Sequence, residues 1–342
     1  MSLEIHSQQE QYPGISGDEA LAIIDKYRGE FEDRTSLSPS DMEFPYLDLD
    51  TPDAVHILET GDNKAGAFKW RGALVGAMAL QRAGHDRLVV PSGGNHARGA
   101  VLAAKVLDMS IDVVVPSTAP LAKREGLHDL WANSRNRLHV AGATFDESLA
   151  YASHFMERRG GALLHPYDDA SVVSGQGTIV DDLLREDSEV NHVVLPVGGG
   201  GLLAGVASRL EELGRNDVHI TAVEATGSNS LSRSLRRKRV VAAEAPNPAY
   251  GGSAVRYVGS HALTTALTYP NLRIVTADEG DVSHVMSAYV QSRNDLMRTE
   301  RYFVPAYEPT SLVAVAGLYK IVTDYRKTVV IGTGHNAPLP RY

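Results

Sequence analysis

The chain has 342 residues, a formal net charge of −9 and no cysteine. It is long enough for two domains with sizeable cores. Without cysteine it has no disulfide, thiolate metal ligand, iron–sulfur cluster or cysteine nucleophile, and its negative charge gives no general attraction to nucleic acid or anionic lipid.

The start of the chain, MSLEIHSQQEQ, is polar and lacks the apolar segment of a secretory signal. No run approaches the ~18 apolar residues of a membrane span. These features predict a cytoplasmic protein. Residues 1–45 read as polar and partly helical, with a Ser/Asp cap signal opening SGDEALAIIDKYRGEF.

From about residue 71 short apolar strands alternate with helices. GALVGAMALQRAG reads as a helix ended by Gly84, RLVVPSGG as strand and turn, NHARGAVLAAKVLD as helix and IDVVVP as strand. APLAKREGLHDLW, FDESLAYASHFMERR and SVVSGQGTIVDDLLRE read as helices, separated by the strands NRLHVAG and GALLHP. HVVLPV, a glycine turn, the helix LLAGVASRLEEL and the strand HITAVEA follow. RIVTA, helices over 279–293 and 310–322, and the strand TVVIGTG complete the series. The strands are continuous apolar runs, as parallel sheets covered on both faces require. The expected fold is therefore α/β with doubly wound, mostly parallel sheets. Residues 241–262, rich in Pro, Gly and Ala, read as a long functional loop.

In such sheets ligands bind beyond the carboxyl ends of the strands. Three turns lie there: PSGGNH, VGGGGLL and GTGHN. In the second, four consecutive glycines can bring several N–H groups onto one anion at a helix N-terminus. A plain strand–helix turn needs one or two glycines, so a phosphate is the expected guest. A rival reading is a nicotinamide-binding loop, Gly199-x-Gly201-x-x-Ala204, with Glu224 for the ribose. It leaves GAFKWRGA, with Lys69 between two aromatics, unexplained. An amine among apolar groups is easier to deprotonate and so becomes nucleophilic; the competing reading is a stem that snorkels to solvent.

GAFKWRGA, PSGGNHARG, VPSTAPLAK, HPYDD, GQGT, VGGGGLLAG and GTGHN occur in that order. In this the chain resembles the fold-type II pyridoxal-phosphate enzymes (threonine and serine dehydratases, serine racemase, threonine synthase, tryptophan synthase β) from about residue 57 to 336. The resemblance implies two tryptophan synthase β-like domains: residues 1–87 with 169–342 as the larger, cofactor-binding one, and 88–168 as a smaller mobile one that closes over substrate. It implies that Lys69 forms the Schiff base with the cofactor aldehyde. Amides of Gly198, Gly199, Gly200, Gly201 and Leu202 would hold the phosphate, and Asn95 the 3′-oxygen, with a helix N-cap as its structural alternative. Ser92, Gly93, Asn95 and His96 would bind the substrate carboxylate. Thr333 would face the pyridine nitrogen, where a hydroxyl cannot keep it protonated as Asp does. Glu308, in YEPTS, resembles the Glu-Pro-Ser-Gly segment near the ring.

Departures refine the expectation. Serine racemases carry a second serine where this chain has Gly93, so racemisation through that residue is disfavoured. Tyr250-Gly251-Gly252 replaces an Ala-Asp-Gly segment and lacks its acid. Glu224 has no second carboxylate in EATGSNS, so no metal is expected. TGHN leans toward threonine synthase, and six residues after Asn336 leave no room for a regulatory domain. The basic run 233–239, RSLRRKR, reads as a solvated helix face or subunit contact, with steering of an anionic substrate as the sharper reading. The implied activity is α,β-elimination of a small hydroxy amino acid such as threonine or serine to a 2-oxo acid and ammonia, by a homodimer. The alternatives are β-replacement or threonine-synthase-like chemistry, with a phosphorylated amino acid as one substrate class, and below these the nicotinamide-binding protein.

Overall fold

A computed structural model describes residues 14–39, 55–128, 130, 136–298, 307–321 and 327–335. In chain order these form α1 (Gly17–Phe31), β1 (Ser36–Pro39), β2 (Val55–Glu59), α2 (Trp70–Arg82), β3 (Arg87–Pro91), α3 (Asn95–Val106), β4 (Ser110–Val115) and α4 (Leu121–His128). There follow β5 (Arg137–Val140), α5 (Phe145–Arg159), β6 (Ala162–Leu163), α6 (Ala170–Gly177), α7 (Ile179–Glu186), β7 (His192–Pro196), α8 (Gly201–Glu212) and β8 (His219–Ala225). The last are α9 (Ser230–Arg237), a 3₁₀ turn (Pro248–Ser253), α10 (Ser260–Thr268), β9 (Leu272–Ala277), α11 (Glu279–Arg298), α12 (Pro309–Ala316), a 3₁₀ turn (Gly317–Lys320) and β10 (Thr328–Gly332).

The chain divides into two units, residues 1–32 with 69–178, and residues 33–68 with 179–342. The first holds a four-stranded parallel sheet in the order β5-β4-β3-β6. β4 is buried along its whole length, so its apolar residues face covering layers on both sides. The second unit holds a six-stranded sheet in the order β1-β2-β10-β7-β8-β9, parallel except for β1. Two apolar clusters fill it, one built on Val194, Val223, Tyr289 and Leu312, the other on Leu195, Leu203, Ile220 and Ile331.

The α/β class with two mostly parallel sheets is the one expected. In packing, α1, α2 and α6 group with the four-stranded sheet. α2 and α6 meet closely because a side chain at Gly72 would run into the Gln176 amide and the Val172 carbonyl. The single helix expected over SVVSGQGTIVDDLLRE is two, broken at Thr178. There the Thr178 hydroxyl bonds back to the Gly175 carbonyl, and Arg71 occupies the Thr178 carbonyl and hydroxyl. β1 and β2, absent from the sequence expectation, pair Leu37 with Leu58 and carry one edge of the larger sheet. Residues 1–13 and 40–45 of the polar N-terminal segment, and Asn336 of GTGHN, lie outside the described residues.

Candidate active site

In the first unit, Lys69 stands immediately before α2 with helical backbone angles. Its Nζ donates to the Pro166 carbonyl at 3.0 Å. Trp70 is fully buried and stacks on Phe31, with ring centroids 4.4 Å apart. The Lys69 side chain is half-buried rather than extended into solvent.

The loop after β3 is Ser92-Gly93-Gly94. The Ser92 hydroxyl accepts the Gly94 N–H at 3.3 Å, and Gly94 is the N-cap of α3. Asn95 is therefore the first helical residue, and the N-cap alternative for it does not hold. Ser92, Gly93, Gly94 and Asn95 are all half-buried. The loop ends at a helix N-terminus, where backbone N–H groups and the helix dipole favour an anion. A side chain at Gly93 would meet Ala119 and Val115 at 3.5 Å, ordinary contact.

His96 carries its side chain inward. Its imidazole is buried, and Nε2 lies 3.2 Å from the Leu164 carbonyl. Burial first, and then the positive charge of Lys69, lower its pKa to about 3. The ring is thus neutral, and only its backbone N–H remains suited to a carboxylate.

In the second unit, β7 runs into Gly198-Gly199-Gly200-Gly201 and on into α8. Gly200 is the N-cap at φ +84°, a left-handed conformation that favours glycine. A methyl at Gly198 would collide with the Gly252 carbonyl oxygen, with Ser253 Cα at 3.2 Å. The Gly259 N–H donates to the Gly199 carbonyl at 2.9 Å. The loop at 241–262 is therefore the wall of the glycine turn. Thr310 on α12 anchors that wall, accepting the Gly252 N–H at 2.8 Å and donating to the Tyr250 carbonyl at 3.1 Å.

Thr333, Ser311 and Glu308 form a buried cluster after β10. The Thr333 hydroxyl donates to Glu308 at 3.2 Å and lies 3.0 Å from the Ser311 hydroxyl, which also accepts the Thr333 N–H at 2.9 Å. Thr333 and Glu308, expected near one ring, are thus neighbours. Ser311 is a further member that the sequence reading passed over; it stands where the resembling segment has glycine.

Glu224 uses both carboxylate oxygens on the first turn of α9, accepting from Leu231 N–H at 2.7 Å and Ser232 N–H at 2.9 Å. Burial raises its pKa against those bonds. A ribose would have to displace both, which counts against the nicotinamide reading. Along the basic run, Leu231 and Ser234 face inward, Arg233 pairs with Glu244, and Arg236 to Arg239 are exposed. Among the described residues no helix is long and apolar enough to cross a membrane.

Sequence reasoning also missed Pro166 and Leu164, whose carbonyls hold Lys69 and His96. The motif HPYDD marked the region without indicating that its backbone does the work.

The family of pyridoxal-phosphate dependent enzymes matches residues 46–334. The chain is 30% identical to the biosynthetic L-threonine dehydratase of Corynebacterium glutamicum, across 97% of this chain and 76% of that one. The processed threonine deaminase isoform 2 of Solanum lycopersicum superposes with a TM-score of 0.74 at 26% identity, over 95% of this chain and 92% of that one. Maize serine racemase superposes at 0.77 with 23% identity, over 96% and 95%, a likeness of fold.

Proposed function

This chain belongs to the pyridoxal-phosphate dependent enzymes, and on that premise we propose that it is a dehydratase converting a small hydroxy amino acid, threonine or serine, to its 2-oxo acid and ammonia. The observation that carries the phosphate site is the glycine turn. The N–H groups of Gly198 to Leu202 donate to no partner among the described residues, and the Ser253 hydroxyl beside the wall of that turn is buried without a partner. Unpaired buried donors are costly, and a phosphate repays them. A side chain at Gly198 or Gly200 would alter this cradle. The residues therefore fit the group.

In this reading Lys69 holds the cofactor, and the 198–202 amides hold its phosphate. Bound pyridoxal phosphate supplies the sink for the electron pair left when the substrate Cα proton departs. The Ser92 hydroxyl and the backbone N–H groups at the start of α3 bind the substrate carboxylate, which fixes the Cα–H bond in one direction. Lys69 Nζ, once displaced by the substrate amine, takes the Cα proton as general base. The β-hydroxyl would leave as water, and hydrolysis of the unsaturated amine so formed would give the oxo acid and ammonia. Residues 88–168 move during this cycle, and the protein works as a cytoplasmic homodimer; light scattering tests the assembly.

The test is product analysis with L-threonine, L-serine and their O-phospho forms. Oxo acid and ammonia from a single amino acid support the dehydratase. A requirement for a second substrate, or for the phosphate ester, supports replacement or threonine-synthase-like chemistry instead.

A further inference from the structure

His96 is buried, and its Nδ1 has no hydrogen-bond partner among the described residues. The other nitrogen lies 3.2 Å from the Leu164 carbonyl. A carbonyl only accepts, so the proton sits on Nε2 and Nδ1 keeps its lone pair. An unpaired acceptor at such depth is costly, so it calls for a donor.

The surroundings identify one. Leu164 and Pro166 are two residues apart on one short segment. One carbonyl takes His96, and the other takes Lys69 Nζ at 3.0 Å. α3 also packs directly on the backbone at Lys69: a methyl at Gly99 would lie 2.8 Å from Trp70 Cα and 3.2 Å from the Lys69 carbonyl carbon. His96 lies three residues before Gly99 and so shares its face of α3. The positive charge of Lys69 acts on the imidazole, which stays neutral.

We propose that His96 is a positioning residue for Lys69: its Nδ1 accepts the second hydrogen of the lysine amine once that amine is free of cofactor. The inference rests on the function proposed above. A neutral amine has two hydrogens and one lone pair. The Pro166 carbonyl holds one hydrogen, His96 Nδ1 holds the other, and the lone pair is left with a single direction. The Cα–H bond then breaks, its electron pair passes to the bound cofactor, and the proton forms the third Nζ–H bond. The resulting ammonium keeps both acceptors.

Two variants separate this role from a purely structural one. In His96→Gln the amide nitrogen replaces Nε2 and keeps the Leu164 bond, while the Nδ1 acceptor is lost. In His96→Asn the side-chain oxygen replaces Nδ1, while the Leu164 bond is lost. The inference expects His96→Gln to lower kcat roughly 100-fold, with KM little changed and a larger isotope effect for α-deuterated serine. It expects His96→Asn to recover most of that loss. Equal kcat for wild type and His96→Gln, or a His96→Asn variant as slow as His96→Gln, overturns it.

A second readout needs no turnover. α-Methylserine displaces Lys69 but has no Cα proton to lose. In holoenzyme labelled with ¹⁵N-histidine, its binding should move the His96 Nδ1 resonance toward the hydrogen-bonded range. An unchanged resonance, or a proton found on Nδ1, contradicts the proposal. Failure of the holoenzyme to form at Lys69 would instead contradict the proposed function.

Discussion

The two aromatics flanking Lys69 are buried in different cores: Phe68 joins the second unit's cluster of Leu195 and Leu203, and Trp70 stacks on Phe31 in the first unit. They fix the backbone on both sides of the lysine. Trp70→Ala should therefore cost about 3–5 kcal/mol. The buried Trp70 indole N–H has no hydrogen-bond partner among the described residues, so Trp70→Phe should stay within about 1.5 kcal/mol. Urea unfolding of the two variants checks the contrast; equal losses would contradict it.

The glycine turn is closed to side chains from one side. Gly198→Ala meets the Gly252 backbone, and Gly200→Ala meets Val258 at 3.1 Å with a left-handed φ. Each should cost about 1–3 kcal/mol and weaken cofactor binding. Cofactor titration monitored by absorbance measures the second effect. Full affinity in both variants would remove the phosphate from this turn.

Gly93 has room for a serine, because its neighbours Ala119 and Val115 lie at ordinary contact distance and its backbone needs no positive φ. Gly93→Ser should fold with stability within about 1 kcal/mol of the parent. It should gain exchange of the substrate α-proton with solvent and formation of D-serine from L-serine. Chiral chromatography reads the outcome; a folded variant with no D-product would show that a hydroxyl here is not sufficient.

His192 sits in the middle of the larger sheet, between the hydroxyls of Thr328 at 3.0 Å and Thr221 at 2.8 Å. Burial lowers its pKa from 6.5 to about 3. The unfolded chain takes up this proton below pH 6.5 while the folded chain does not. Its penalty is therefore absent above pH 6.5 and grows by about 1.4 kcal/mol per pH unit as the pH falls toward 3. His96 adds a penalty of the same sign. Urea unfolding between pH 7 and pH 4 should show this slope, reduced in His192→Gln. An equal slope in the variant would place a proton on the folded imidazole.

Local pattern carried much of this architecture. The apolar runs at 113–115 and 193–195 read directly as buried parallel strands, and four adjacent glycines after a strand marked the turn proposed for the phosphate. The missing parts depend on residues distant in sequence. VHILE is short, and it pairs with Ser36–Pro39 and with the distant Thr328–Gly332, so nothing local marked this side of the sheet. At the break after Gly177 the Thr178 carbonyl is held by Arg71, 107 residues away. The Gly252 carbonyl over Gly198, and the Leu164 and Pro166 carbonyls beneath His96 and Lys69, are backbone atoms with no signature in residue type. His96 itself was visible as a histidine, but the direction of its ring is set by Leu164.

The most direct test is chemical trapping at Lys69. Purified protein supplied with pyridoxal phosphate should be yellow, bleach with borohydride, and yield on digestion a single pyridoxyl-modified peptide carrying the label on Lys69. Label on another lysine, or a Lys69→Ala variant that is labelled as well as the parent, would contradict the account.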